Sequence, residues 1–244
     1  MEISEYKNIF ENETTHFYYV TMHNLVLRLI KTHSVLKNPK ILDAGCGTGQ
    51  LVKSLSEIGY TYGIDISKEA IKYCRKRKLK NIRKGSVTQI PFADNSFDII
   101  TCLDVIYHQA VKNDNRAINE FARVLKPKGI LILKVPAHQW LFGKHDKIVH
   151  TKKRYEINKL KNQLKRNCFI IKKISYGNMF LFPFAVFKRL IIDNIFSKKT
   201  SSDINKLPKI LNSIFIYIGK IENLVFKYIN LPFGLDIYAI AIKS

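Results

Sequence analysis

Acid is scarce in this chain. It has 19 Asp and Glu against 41 Lys and Arg in 244 residues, a formal net charge of +22. Residues 1–140 carry 21 basic and 13 acidic side chains, and residues 141–244 carry 20 and 6, so the excess is concentrated towards the C-terminus. Such a field attracts nucleic acid, anionic lipid or a phosphorylated substrate. Coding bias towards Lys, Asn and Ile produces the same surplus without a function. Cysteine is also sparse. Cys46, Cys74, Cys102 and Cys168 form no C-x-x-C pair, which argues against a zinc site or a disulfide framework and for reduced thiols. The first residues, MEISEYKNIFENE, lack the apolar core of a signal peptide. Together these features lead us to expect a cytoplasmic protein. Long apolar runs are missing too. Lys188 and Arg189 break one aromatic-rich stretch, and Lys220 and Glu222 break another, short of the roughly 18 residues a membrane span requires.

Two nucleotide signatures are absent at the place where one is expected. Residues 41–50 read ILDAGCGTGQ, a short apolar strand followed by a glycine turn and a helix-forming stretch. No Gly-Lys-Ser/Thr follows, so this is not a P-loop. The glycines, Gly45, Gly47 and Gly49, are spaced G-x-G-x-G, with Gln50 where a dinucleotide fingerprint has its third glycine. Strand, glycine turn and helix bring backbone N–H groups towards a nucleotide-like ligand. The acid before the turn, Asp43, repels phosphate and suits a ligand carrying an amine. About 20 residues further on, GYTYGIDIS ends a strand at Asp65, where a carboxylate can accept from both ribose hydroxyls.

The rest of the chain reads as an α/β protein. Residues 1–37 have helical apolar spacing. Strands are expected near 40–44, 60–65, 81–85, 97–103 and 129–135, alternating with helices near 48–57, 67–78, 112–125 and 155–166. That alternation indicates a doubly wound parallel sheet, whose ligands sit at the carboxyl ends of its strands. Two more strands are expected at 168–175 and 235–243. Between them, residues 177–233 form a connection far longer than usual, read as apolar, aromatic-rich helices. It could serve as a cap over a substrate pocket, an interfacial patch on an anionic membrane, or a dimer surface. We favour a cap that forms a substrate-contacting wall.

The runs DAGCGTG (43–49), GIDIS (63–67), IPFADNSFDIITCLDVIYH (90–108) and RVLKPKGILIL (123–133) resemble, in order and spacing, the class I S-adenosylmethionine-dependent methyltransferases. The resemblance implies a Rossmann-like, mostly parallel seven-stranded sheet closed by an antiparallel hairpin. The division it suggests is an N-terminal helical lid (1–37), a cofactor-binding core (38–176), the helical insert (177–233) and the last strand (234–244). It implies S-adenosylmethionine as cofactor, with Asp43, Ala44, Gly45, Cys46, Gly47 and Gly49 against its methionine part. Asp65 would take the ribose and Ile66 the adenine. Ser86 and Val87 would line the adenine side, Ser86 replacing a customary acid, and Leu103 would border the methyl.

Methyl transfer from a sulfonium needs positioning and exclusion of water, and a base only where the nucleophile must lose a proton. Tyr107 and His108 follow the fourth strand, and His108 reads either as a general base or as a structural histidine at the head of a helix. The stretch HQWLFGKHDKIVHTKKRY (138–155) resembles a bacterial and archaeal subgroup with an HD…H…RY signature, an LFP run and a late LPFG. It offers His145 as a further catalytic candidate and His150, Arg154 and Tyr155 as substrate contacts, or as a lid that organises the loop. From the N-terminal aromatic cluster, Tyr18 and Tyr19 join the substrate set. Met22 and His23 stand near where that subgroup carries arginines. His145 and His150 are five residues apart, not the i, i+4 pair of zinc enzymes, so we expect no metal.

The expected function is methyl transfer to oxygen or nitrogen of a small-molecule, glycan-precursor, natural-product or carrier-linked acceptor. The alternative is an RNA or protein methyltransferase using the basic C-terminal half. Nucleic acid is the lesser expectation, because residues 103–106 read LDVI and not the N/D-P-P-[YF] of base-amine methylation.

Overall fold

The carboxyl ends of the strands fall within a residue or two of where sequence periodicity puts them. In the computed structural model, which describes residues 3–187, 189 and 207–244, seven strands form one sheet. They are β1 (Lys40–Ala44), β2 (Tyr60–Asp65), β3 (Ile82–Lys84), β4 (Phe97–Leu103), β5 (Leu125–Pro136), β6 (Phe169–Gly177) and β7 (Asp236–Lys243). Their order is β3-β2-β1-β4-β5-β7-β6. The first five are mutually parallel, and β7 runs antiparallel between β5 and β6. This is the doubly wound sheet with a closing hairpin that the motifs imply. β5 begins earlier than expected. After a bulge between Phe97 and Ile99, Leu125 pairs with Phe97, so the exposed Lys126–Pro127–Lys128 turn is carried within the strand.

Two periods decide which helices cover which face. Ile41, Ile99, Ile130, Ile132, Tyr238 and Ile240 point to one side, against Leu25, Val26, Leu29 and Ile30 of α2 (Phe17–His33) and Phe226 of α9 (Lys209–Tyr228). Leu42, Ala44, Ile100, Cys102, Leu131, Leu133 and Ala239 point to the other. There they meet Ile118 and Phe121 of α5 (Asp114–Val124) and Leu160 and Leu164 of α7 (Ile157–Arg166). Lys134 follows Ile130 and Ile132 in register, so it lies on the α2 side although it is wholly buried.

The insert supplies α8 (Phe182–Phe187) and α9; its residues 190–206 lie outside the described set. α9 is keyed to the start of α2. Asn212 accepts from the Phe17 N–H (2.9 Å) and donates to the Thr15 carbonyl (2.8 Å), and Asn223 donates to the Thr21 carbonyl (2.9 Å). Among the described residues, no helix is long and apolar enough to cross a membrane.

A buried clasp holds the N-terminal segment over the glycine turn. α1 (Ile3–Asn12) ends just before Glu13, whose carboxylate accepts from the Thr48 hydroxyl and from Arg77, the residue that ends α4 (Lys68–Lys76). Arg77 also donates to the Thr48 carbonyl (3.0 Å) and to Gln50 (2.9 Å), with its guanidinium 4.4 Å from the Phe10 ring centroid. Removing one partner of such a pair leaves the other charge buried. We therefore expect Arg77→Met to lower unfolding free energy by about 3 kcal/mol in urea titrations. Lys72→Met, which breaks the exposed pair with Glu69, should change it by less than about 1 kcal/mol. Equal effects would show that the clasp contributes no more than a surface pair.

Candidate active site

The glycine turn is bent by positive φ and packed from below. Gly45 has φ +89°, and a Cβ there would lie 2.2 Å from a methyl of Val105. Gly47 has φ +53° with open space above it. The turn's N–H groups are directed inward. Those of Gly45 and Cys46 both donate to the Ile64 carbonyl (2.8 and 2.9 Å), that of Gly49 to the Cys46 carbonyl (3.0 Å), and that of Gly47 to the Asp65 carboxylate (3.0 Å). The expectation that this turn offers N–H groups to a ligand is therefore corrected for these four. The reason is the β1–β2 junction, where the Ile64 carbonyl and the Asp65 carboxylate take three of them, and the turn's own Cys46 carbonyl takes the fourth.

What the turn leaves for a ligand is acid. A cavity of about 550 Å³ opens over it, and Asp43 and Asp65 both line it. Asp43 is buried and accepts from the Thr101 hydroxyl (2.7 Å); burial pushes its carboxyl up to about 7 despite that bond. Asp65 accepts from Gly47 and from the Ser67 N–H (2.8 Å), and burial raises it too. A pyrophosphate would meet two carboxylates and none of those four N–H groups. A ligand with an amine and ribose hydroxyls finds acceptors for both, so these residues fit S-adenosylmethionine. Gly45, Cys46, Gly47, Ile66, Ser86, Val87 and Leu103 share the lining. Ala44 sits beneath it in the core, and Gly49 caps α3 (Gln50–Leu55) behind it.

At the other end, Tyr18, Tyr19, Tyr107, His108, His145 and Arg154 line the same cavity, whereas His150 and Tyr155 do not. The Tyr155 hydroxyl donates to Asp114 (2.7 Å) and its ring lies in the core. The His150 ring lies 5.7 Å from that of His108. His108 Nδ1 accepts from the Ala110 N–H (3.0 Å), and burial lowers its pKa to about 4. An imidazole accepting at Nδ1 carries its proton on Nε2. His108 is thus a neutral wall of the cavity and a poor proton acceptor, which counts against the general-base reading.

The HD…RY residues build the loop after β5. Asp146 accepts from Arg154 at both oxygens (3.0 and 3.1 Å), from Arg189 (3.2 Å) and from the Gly143 N–H (2.8 Å). Arg154 also donates to the Ala137 carbonyl (3.0 Å). This geometry favours the loop-organising role for Arg154. Among the described residues, no group of three His, Cys, Asp or Glu is arranged to hold a metal ion.

Sequence reasoning missed a buried network beside Tyr18. The Lys134 ammonium donates to Asp104 (2.6 and 2.8 Å) and to the Tyr18 hydroxyl (2.7 Å), and pairs with Asp236 (3.2 Å). Tyr18 donates in turn to Asp104 (3.1 Å). Burial alone would depress Lys134, but the two carboxylates outweigh it and hold the amine above the ordinary lysine range. The signal was visible as a lone lysine inside the apolar strand LILKVP.

Comparison with known proteins agrees with this geometry. The family of methyltransferase domains matches residues 42–133. The uncharacterized methyltransferase YcgJ of Bacillus subtilis is 32% identical over 112 residues, which is 43% of this chain and 44% of YcgJ. Its crystal structure superposes with a TM-score of 0.59 at 18% identity, covering 91% of this chain and 99% of that one. The malonyl-[acyl-carrier protein] O-methyltransferase of Buchnera aphidicola is 29% identical over 166 residues, 66% of this chain and 65% of the relative. The human probable tRNA methyltransferase 9B is 38% identical over 96 residues, 39% of this chain and 21% of the relative. The chain thus spans less than two thirds of each curated relative and about half of YcgJ. Residues 42–133 thus match the family of methyltransferase domains, and the sheet that carries them has the fold of the solved YcgJ structure.

Proposed function

We propose that this protein transfers a methyl group from S-adenosylmethionine to oxygen or nitrogen of a small-molecule, glycan-precursor, natural-product or carrier-linked acceptor. The observation that carries the reading is the pair of carboxylates, Asp43 and Asp65, at the mouth of a turn whose N–H groups are already engaged. When bound, the cofactor supplies an electrophilic methyl. The chain's own part is to hold, orient and dry the site. Asp65 would receive the ribose, Asp43 the amino group, and Tyr18, Tyr19 and Phe215 would keep water from the acceptor. Phe215 and Phe184 come from the insert, which supports its reading as a cap with a substrate-contacting wall. The Buchnera relative, named for a carrier-linked acceptor, is consistent with a small group presented into such a cavity.

A second reading, methylation of RNA, is favoured by the tRNA methyltransferase relative and the net charge. It requires affinity for RNA that falls steeply with salt, since each neutralised phosphate releases counterions. Weak binding of a transfer RNA, unchanged between about 50 and 200 mM salt, rules it out.

Two outcomes test the cofactor assignment. Asp65→Ala removes two charge-assisted hydrogen bonds and should weaken S-adenosylmethionine binding by about a hundredfold or more in calorimetry. Unchanged affinity removes the assignment's basis. The second concerns protons. Burial pushes the Asp43 carboxyl up to about 7, and a neighbouring ammonium favours its ionised form. Binding at about pH 6.5 should therefore release a proton, and affinity should rise with pH until Asp43 is ionised before binding. Titrations in two buffers of different ionisation enthalpy should give different heats for the wild type and equal heats for Asp43→Asn. Equal heats in the wild type contradict the placement of the amine at Asp43.

A further inference from the structure

We propose that the Asp104 carboxylate, held by Lys134 and Tyr18 at the inner end of the cavity, receives the methyl acceptor as an amine bound in its ammonium form. The inference rests on the methyltransferase reading above and narrows its acceptor from oxygen or nitrogen to nitrogen.

Hydrogen-bond capacity comes first. An ammonium has three N–H donors. Those of Lys134 are engaged by the two Asp104 oxygens and by Tyr18, with the Asp236 carboxylate 3.2 Å away as an ion pair, and the lysine side chain is 0% exposed. Its positive charge is therefore not presented to a ligand. Tyr18 is engaged on both sides, accepting from Lys134 and donating to Asp104. Asp104 is different: a quarter of its side chain remains exposed, and it lines the cavity. What a ligand meets at this point is a carboxylate oxygen, so the ligand must bring a donor.

Charge decides which donor. Asp104 and Asp236 carry two negative charges against one positive charge on Lys134. Asn178 also donates to Asp236 but is neutral. One negative charge is left over in a site largely removed from water, where an uncompensated charge is costly. The surrounding groups do not offset it. Burial keeps the Tyr107 and Tyr238 phenols neutral and lowers the His108 imidazole, while Asp43 adds a further acid. Arg154 and Arg189 are both held by the one carboxylate of Asp146, so the surplus cation of that group stays with the loop after β5, and the cation acting on Asp104 is Lys134. A carboxylate or phosphate would meet like charge. A hydroxyl could donate but would leave the surplus in place. An ammonium does both.

A second polar atom points to a ligand in the same cavity. Thr151 lines it, is 2% exposed, and its hydroxyl has no hydrogen-bond partner among the described residues. Its backbone bridges to His108, next to Tyr107. A buried hydroxyl without a partner is unfavourable, and an amine or an adjoining polar group of the acceptor would satisfy it.

The carboxylate also has a proton to move. An ammonium has no lone pair, so one N–H bond must break before nitrogen can react. Its electron pair stays on nitrogen, the proton forms an O–H bond on Asp104, and the acid later returns it to solvent. Burial raises the Asp104 carboxyl above the ordinary aspartate range in spite of Lys134.

The test is calorimetry on the chain saturated with S-adenosylhomocysteine, using benzylamine, benzyl alcohol and benzoate as probes of equal size and different charge. Benzylamine should bind at least about tenfold tighter than benzyl alcohol, and benzoate not measurably. Asp104→Asn should erase the preference. If that variant melts early, Asp236→Asn removes the same surplus charge from behind Lys134 and should reduce the preference. No preference for the amine, or no binding of any probe, overturns the inference while S-adenosylhomocysteine binding leaves the methyltransferase reading standing. Absence of S-adenosylhomocysteine binding overturns both. If Asp104→Asn instead weakens S-adenosylmethionine relative to S-adenosylhomocysteine and leaves benzylamine unchanged, the surplus charge serves the sulfonium and the inference fails.

Discussion

One carbonyl and one carboxylate at the end of β2 set the character of the whole site. The Ile64 carbonyl takes the Gly45 and Cys46 N–H groups, and Asp65 takes that of Gly47. Glycine turns before helices commonly attract anions because their N–H groups point outward. Here they point inward, and the turn displays Asp43 and Asp65 instead. The positive φ at Gly45 and Gly47 makes that inversion possible, and the close approach of Val105 fixes it.

From this follows a contrast between inside and outside. The chain carries a net +22, yet the cavity gathers acids from β1, β2, the end of β4 and the start of β7. The sheet does the gathering. A parallel sheet brings the carboxyl ends of β1, β2 and β4 to one edge, and β7, running antiparallel, brings its first residue, Asp236, opposite Pro136 at the same edge. Lys134 is the internal counterweight, and Arg77 plays that part for Glu13 beneath the N-terminal segment. Both lie behind the carboxylates they balance, so neither reverses the sign of the surface a ligand meets.

Much of this was legible in the sequence. Period-two apolar strands, glycine spacing and the acids closing β1 and β2 gave the sheet, the turn and the ligand class. The direction of the turn's N–H groups was not legible, because it depends on a carbonyl that any residue would supply. The Lys134–Asp236 pair joins residues 102 apart in sequence, and Glu13–Arg77 joins residues 64 apart. No local pattern links either pair. His108 was identifiable as a cavity residue, but its tautomer is set by the Ala110 backbone and its charge by burial, not by its own identity. The HD…RY run was visible as a unit. That Asp146 would engage Arg154 at both oxygens, leaving Tyr155 to the core, required the fold.

The central claim is that this glycine turn seeks a cationic, ribose-bearing ligand and rejects a pyrophosphate. The direct measurement is paired calorimetric titration of the wild-type chain with S-adenosylmethionine and with NAD. Saturable binding of S-adenosylmethionine with no measurable heat from NAD is the predicted result. Binding of NAD as tight as that of S-adenosylmethionine would contradict it.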